Sequence, residues 1–255
     1  MPAEPKPLPW LAEGEKFPSV HDAWGPDDPA PGLLAAGASL DVPTLLDAYS
    51  HGIFPWFSAG QPPLWWSPDP RMTLRTSDFK IHRSLRKTIA AFSSDPACEI
   101  RFDSAFEQVI SACAGAPREG QAGTWILPEM VAAYGALHAA GHAHSVETWV
   151  DGELVGGLYC VNIGRMVFGE SMFAHRTDAS KLALSALVAF CRAADMPMID
   201  CQQNTRHLAS LGAAEIDRAE FLSRVQGLRH LSPPRWKFEP VYWNLLLTSR
   251  TSSSS

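Results

Sequence analysis

Two short apolar runs separated by a long helical pattern restrict most sharply what this chain can become. Met166 to Glu170 reads as a buried strand, Asp178 to Ala194 as a helix opened by an Asp cap, and Met196 to Gln202 as a second strand. A strand, crossover and strand in that order joins parallel neighbours, almost always with right-handed connection, so both strands end at the same edge of the sheet. Ligand crevices of α/β sheets form at that edge. Along the second strand the period of two places Asp200 and Gln202 on one face and Ile199 and Cys201 on the other. Glu170 ends beside them. An isolated acid at a strand end most often caps a turn or a helix. A carboxylate and a carboxamide on one face of an apolar strand, however, are costly to bury unless they are paired. Glu170, Asp200 and Gln202 are therefore the candidate active site.

The preceding segment supplies the rest of this sheet. Ala143 to Val150 and Glu153 to Val161 alternate as strands around Asp151-Gly152, a strong two-residue hairpin signal, and Asn162 to Arg165 turns into the Met166 strand. A three-strand meander thus leads into the crossover. Upstream, Asp41 to Tyr49 predicts a helix with an Asp cap and Pro43 in its first turn, ending near His51-Gly52. Met72 to Leu74 predicts a short strand, Glu99 to Phe102 another, and Ala105 to Cys113 and Pro128 to Ala140 predict helices. Downstream, Thr205 to Leu211 and Phe221 to Leu228 read as short helices, and Trp236 to Leu247 is a last apolar stretch. Eight prolines before residue 33 predict an irregular, draped start, with Trp10, Phe17 and Trp24 able to pin it to the body.

Between Pro55 and Pro70, three tryptophans and five prolines form a stiff aromatic wall, either an inter-domain joint or a stacking surface for a base or an aromatic side chain. Lys80, His82, Arg83, Arg86 and Lys87 are the densest positive run; such runs are mostly solvated helix faces, but in a chain of net charge -6 this one is also a candidate contact for an anionic partner. That net charge argues against a surface that grips nucleic acid everywhere, while leaving room for a local basic patch. Five irregularly spaced cysteines suggest neither a disulfide framework nor a zinc site. His138, His142 and His144 straddle a helix end without a Cys or acidic ligand in a recognised pattern, so no metal is expected. No apolar run reaches membrane-spanning length, and the start lacks the basic and apolar regions of a signal peptide. The expectation is a soluble, cytoplasmic chain with no membrane association.

A meander of three strands, a helix, a parallel strand and a short helix is the element order of the acetyltransferase-like fold. The expected class is therefore α+β, with a small N-terminal α/β domain over residues 1–69, an acetyltransferase-like (GNAT-type) mixed-sheet domain over 70–247, and a disordered Ser/Thr tail over 248–255. Most enzymes of that fold hold coenzyme A on a glycine-containing loop at the crossover helix start. Here Ser171 to Ala179 contains no glycine, and Asp178 would repel a pyrophosphate. The element order predicts acyl transfer, while the loop excludes coenzyme A as donor.

The strings GIFPWFS, PLWWSPDPR, GTWI, GHAHSVE, ELVGG, FGESMF, ASK and IDCQ, in this order, resemble bacterial leucyl/phenylalanyl-tRNA–protein transferase from about Gly32 to Phe221. The resemblance implies transfer of Leu or Phe, and less readily Met, from leucyl-tRNA or phenylalanyl-tRNA to the α-amine of proteins beginning with Arg or Lys, marking them for N-degron degradation. It implies a monomer with no cofactor. Trp56 and Trp125 are expected beside the 3′ adenosine and aminoacyl group, together with Glu170, which positions the aminoacyl end. Asp200 and Gln202 are expected closest to the chemistry. Leu158, Val167, Leu184 and Leu187 are expected to form the amino-acid pocket, although each can equally be core. Lys80, Arg83, Arg86 and Lys87 are the candidate contacts to the tRNA backbone. Two rival readings remain: a cell-wall aminoacyl transferase, which usually carries a doubled domain and a helical arm, and a non-catalytic module that recognises basic amino termini.

Overall fold

In a computed structural model that describes residues 6–115 and 126–248, the chain forms two sheets with helices packed on both faces of the larger one. The small sheet contains β1 (Trp10–Leu11), β2 (Leu33–Gly37), β3 (Phe54–Pro55) and β4 (Leu64–Trp66) in the order β1-β2-β4-β3, with helix α1 (Val42–Ser50) between β2 and β3. Asp41 caps α1 as expected, its Oδ1 accepting the Thr44 N–H at 2.8 Å.

The rest of the chain builds a seven-stranded sheet. After β5 (Arg71–Arg75) come α2 (Arg83–Ser94), β6 (Cys98–Phe102), α3 (Phe106–Gly115), α4 (Pro128–Ala139), β7 (Ala143–Val150), β8 (Glu153–Ile163), β9 (Met166–Ala174), α5 (Ala179–Ala193), β10 (Met198–Gln202), α6 (Arg206–Ser210), β11 (Ala214–Ile216), α7 (Arg218–Leu228) and α8 (Asn244–Leu247). The strand order is β11-β5-β10-β9-β8-β7-β6, and the pair across the α5 crossover, β9 with β10, is the parallel one. Asp151 and Gly152 both take positive φ at the hairpin between β7 and β8, as a two-residue turn of this kind requires.

Burial on both faces explains why β8 reads as a nearly unbroken apolar run. One core joins the small sheet, α1, α3 and α4 to the face carrying Tyr159, Phe168 and Met198. The other joins α2, α5 and the C-terminal segment to the opposite face through Val167 and Ile199. Adjacent residues of β9 and β10 thus enter opposite cores, as a pleated strand dictates.

Several sequence expectations need correction. The proline-rich start is not wholly irregular: Trp10 and Leu11 pair in parallel with Ala36 and Gly37. Prolines on either side are tolerated because a two-residue edge strand needs few ladder bonds. Trp10 is 69% exposed, with one ring edge near Gly37, whereas Phe17 meets Trp65 edge-on at 4.8 Å. The aromatic wall carries two strands, with β4 pairing to both β2 and β3. Asp178 does not cap α5 through its side chain. It sits at φ 63° and pairs with Lys181 at 2.7 Å. The strand β11 lacked a sequence signal, being three residues on the sheet edge. The Ser/Thr tail beyond Thr248 and the GTW stretch lie outside the described residues.

Candidate active site

The parallel pairing of β9 with β10 extends only over Val167 with Ile199 and Phe168 with Asp200. Beyond that point the ladder is interrupted on both flanks, by register shifts between Tyr159 and Cys160 on β8 and between Asp200 and Gln202 on β10. Gln202 takes φ 62° and resumes pairing with Met72 of β5 past the shift. Gly169 permits the close approach at the branch, since a side chain there would meet the Asp200 carbonyl. A cavity of about 270 Å³ opens where the strands part. Leu158, Met172, Leu184, Leu187 and Ile199 give it an apolar wall, and Glu170 stands at its polar end. Its volume lies near the lower bound for small-molecule sites, suited to an amino-acid side chain rather than a whole nucleotide.

Glu170 collects donors from three elements. Tyr49 of α1 donates to Oε1 at 2.7 Å, Tyr134 of α4 to Oε2 at 2.9 Å, and the Gln202 side-chain amide to Oε1 at 3.0 Å. The two tyrosine oxygens are themselves 2.5 Å apart. Burial pushes the Glu170 carboxyl up to about 7 against these three hydrogen bonds, and the nearby Asp200 charge adds to the rise. Burial also raises both tyrosines well above their ordinary value, so they remain hydroxyl donors at neutral pH.

Asp200 is held differently. Arg71 of β5 grips it in a two-point ion pair, Nε to Oδ1 at 2.8 Å and Nη2 to Oδ2 at 2.6 Å, with both side chains sealed from solvent. The Arg71 guanidinium lies between the rings of Phe54 and Phe221, at 4.7 and 4.6 Å, and donates to the Gly52 carbonyl. Oδ1 of Asp200 also accepts the Gln202 backbone N–H at 2.9 Å. Asp200 therefore fixes the bulge that aims the Gln202 side chain at Glu170.

Asp200 also borders the cavity, with its carboxylate turned onto Arg71, and the remaining wall is uncharged. Burial pushes the Cys201 thiol up, and burial together with Lys181 lowers His207, so at pH 7 both face the cavity as neutral groups. Leu158, Leu184 and Leu187 line the cavity. Val167 does not; it is fully buried in the α5-side core, in register with Ile199. Trp56 stacks at a tilt on Trp66, 5.4 Å between ring centres, and its carbonyl accepts the Trp66 indole N–H. Trp125 lies outside the described residues.

Of the basic run, Lys80, Arg83 and Lys87 are exposed, whereas Arg86 is half-buried and donates to the Leu246 and Leu247 carbonyls at the end of α8. Two of the three histidines have side-chain partners. His138 stacks on Phe106 at 4.2 Å and meets the Ala143 carbonyl, and His144 pairs with Asp103 and stacks on Trp236 at 3.9 Å. Among the described residues no group of three His, Cys, Asp or Glu is placed to hold a metal ion. Sequence reasoning missed Arg71, Tyr49 and Tyr134. Arg71 closes the string PLWWSPDPR and Tyr134 falls within the helix expected over Pro128 to Ala140, but nothing local links them to residues 36 to 129 positions away.

Comparison with known proteins decides what such a site belongs to. A family model described as leucyl/phenylalanyl-tRNA protein transferase matches residues 73–226, and the model of that family's N-terminal domain matches residues 38–69. A protein of Polaromonas sp. (strain JS666 / ATCC BAA-500) named leucyl/phenylalanyl-tRNA–protein transferase is 71% identical over 246 residues, 96% of each chain. The chain belongs to the leucyl/phenylalanyl-tRNA protein transferase family. A second transferase of that name, from Albidiferax ferrireducens (strain ATCC BAA-621 / DSM 15236 / T118), is 58% identical over 254 residues, covering both chains in full. Among solved structures, FemX is similar with a TM-score of 0.45 and 8% identity, covering 69% of this chain and 66% of its own. Family membership makes the chain an enzyme, a transferase, and its two sheets with packed helices are of the α+β class. Among the described residues no helix is long and apolar enough to cross a membrane.

Proposed function

We propose that this chain transfers a leucyl or phenylalanyl group, and less readily a methionyl group, from its aminoacyl-tRNA to the α-amine of a protein beginning with Arg or Lys, so tagging it for degradation. The observation that carries this reading is the small apolar cavity that reaches Glu170, whose carboxylate the Gln202 amide holds. An uncharged wall excludes charged side chains strongly but separates apolar ones by only about 1–3 kcal/mol, which accords with more than one accepted amino acid.

An aminoacyl ester is already activated, so aminolysis is downhill and calls for orientation, a proton acceptor and a donor to the developing oxyanion. Gln202 holds Glu170 through one amide N–H, and its second N–H and its carbonyl are available to the substrate. Asp200 acts as a positioning residue: it borders the cavity, but its buried carboxylate is held by Arg71 and the Gln202 backbone, so it fixes Gln202 rather than touching the amine. Leu158, Leu184 and Leu187 receive the aminoacyl side chain. Trp56 and Trp125 flank the adenosine, on the strength of the family motif. Lys80, Arg83 and Lys87 contact the tRNA backbone, with Arg86 reserved for α8. The division at residue 69 corresponds to a small domain and a transfer domain, in keeping with the two family models. The enzyme works as a cytoplasmic monomer, where both charged tRNA and newly exposed amino termini occur.

Incubation with charged leucyl-tRNA and a peptide starting with Arg tests the reading. Leucine joined by an amide bond to that terminus supports it. No product, with a folded protein and intact leucyl-tRNA, rejects it. Product at a peptidoglycan-type side-chain amine but not at the Arg terminus would favour the cell-wall class instead.

A further inference from the structure

The oxygens around Glu170 form a closed circuit. Oε1 meets the Tyr49 hydroxyl, that hydroxyl meets Tyr134 at 2.5 Å, and Tyr134 returns to Oε2. Three contacts need three hydrogens, yet two tyrosines bring only two. With Glu170 ionised, both hydroxyls turn to the carboxylate and the short Tyr49 to Tyr134 contact is left without a proton. With Glu170 protonated, each edge carries one: the acid donates to Tyr134, Tyr134 to Tyr49, and Tyr49 to Oε1. We infer that Tyr49, Tyr134 and Glu170 form a proton store that takes the proton from the incoming amine, with the tyrosines as positioning residues acting through Glu170. This deepens the function proposed above and rests on it.

The charged groups facing the circuit are few. Asp200 lies on β10, ion-paired with Arg71 of β5, and its charge adds to the rise at Glu170. Tyr159 and Cys160 of β8 are neighbours, and burial holds the Cys160 thiol up, so it stays neutral. Glu170 is thus the titrating member at neutral pH, and its edge reaches the cavity. The step balances. The acceptor ammonium gives one proton to the Glu170 carboxylate and becomes a free amine. Its lone pair then forms the new C–N bond while the ester C–O bond breaks. The second amine proton leaves with the departing 3′ oxygen, and Glu170 returns its proton to solvent.

Two interpretations of the tyrosines differ in sign. As donors to an ionised carboxylate alone the tyrosines hold Glu170 down, and on that account removing one raises its proton affinity. If they close a proton circuit, removing one costs the protonated form more bonds than the ionised form, and proton affinity falls. The test is an infrared pH titration of the free enzyme, following the protonated carboxyl C=O band that is absent from Glu170→Gln. The wild-type band should titrate near neutrality, and in Tyr49→Phe and Tyr134→Phe its midpoint should move to lower pH by about one unit. Single-turnover transfer from leucyl-tRNA to an Arg peptide should fall at least 100-fold in Glu170→Gln with leucyl-tRNA affinity retained. A midpoint moved to higher pH in both tyrosine variants overturns the proton store, as does a wild-type enzyme with no neutral-range carboxyl band. Those outcomes alongside normal wild-type transfer leave the proposed function standing; absence of wild-type transfer rejects the function itself. Should either tyrosine variant misfold, the other variant and the wild-type titration still decide.

Discussion

Replacing Glu170 by Gln should remove activity yet stabilise the fold at pH 8. The carboxyl rises from its ordinary value of 4.5 in the unfolded chain to about 7 in the cleft. Below pH 4.5 both states hold the proton and Glu170 costs nothing. Between 4.5 and 7 the folded state keeps a proton the unfolded chain has lost, so stability falls as pH rises, and above 7 the loss is complete. At about 1.36 kcal/mol per unit the ceiling is about 3 kcal/mol. Because an edge of the group faces the cleft, the measured effect should be roughly 1–3 kcal/mol. Gln suits the site: its carbonyl accepts from Tyr49 and Gln202, and its N–H replaces the acid proton toward Tyr134. Urea unfolding of both proteins between pH 5 and 8 gives the comparison. The variant's advantage should be largest at pH 8 and mostly gone by pH 5. A difference independent of pH, or a variant less stable at pH 8, would refute the reasoning.

Arg71→Met leaves Asp200 buried without its partner and should cost about 3–5 kcal/mol in chemical denaturation. The double change with Asp200→Leu should restore much of that stability but not turnover, since the Gln202 backbone loses its acceptor; normal turnover in the double variant would remove Asp200 from the positioning role. Neutralising Lys80, Arg83 and Lys87 together should reduce the slope of log affinity against log salt for leucyl-tRNA by about 2–3. Arg86→Ala should instead lower the melting temperature by about 2–4 °C through its lost α8 contacts, with tRNA affinity kept, and the reverse pattern would reassign it. Leu184→Ala enlarges the cavity, and should shift the ratio of kcat/KM for phenylalanyl over leucyl donors toward phenylalanyl by about tenfold, measured by competition between the two charged tRNAs.

The larger sheet was legible because its signals are local. Asp151-Gly152 fixes the hairpin, and the apolar runs on either side of α5 fix the parallel pair. Glu170 and Gln202 were placed together correctly, and they share a hydrogen bond. The alternation of the strand also put Asp200 beside Gln202, but could not reveal that a bulge and Arg71 divert its carboxylate into the interior. Arg71 and Tyr49 reach the site through tertiary packing alone, from β5 and α1. A chain pattern reports which face a residue occupies, not which distant partner saturates it. The same limit explains Val167 and Arg86: an apolar strand residue looks alike in a pocket wall or a core, and a helix arginine looks alike facing RNA or capping another helix.

A structure with a non-hydrolysable leucyl-adenosine analogue bound tests the central claim most directly. The leucyl side chain should lie among Leu158, Leu184 and Leu187, the reacting carbonyl should be within hydrogen-bond reach of Gln202, and Asp200 should remain clamped on Arg71. A leucyl group seated elsewhere, or an Asp200 released from Arg71 and touching the ligand, would contradict it.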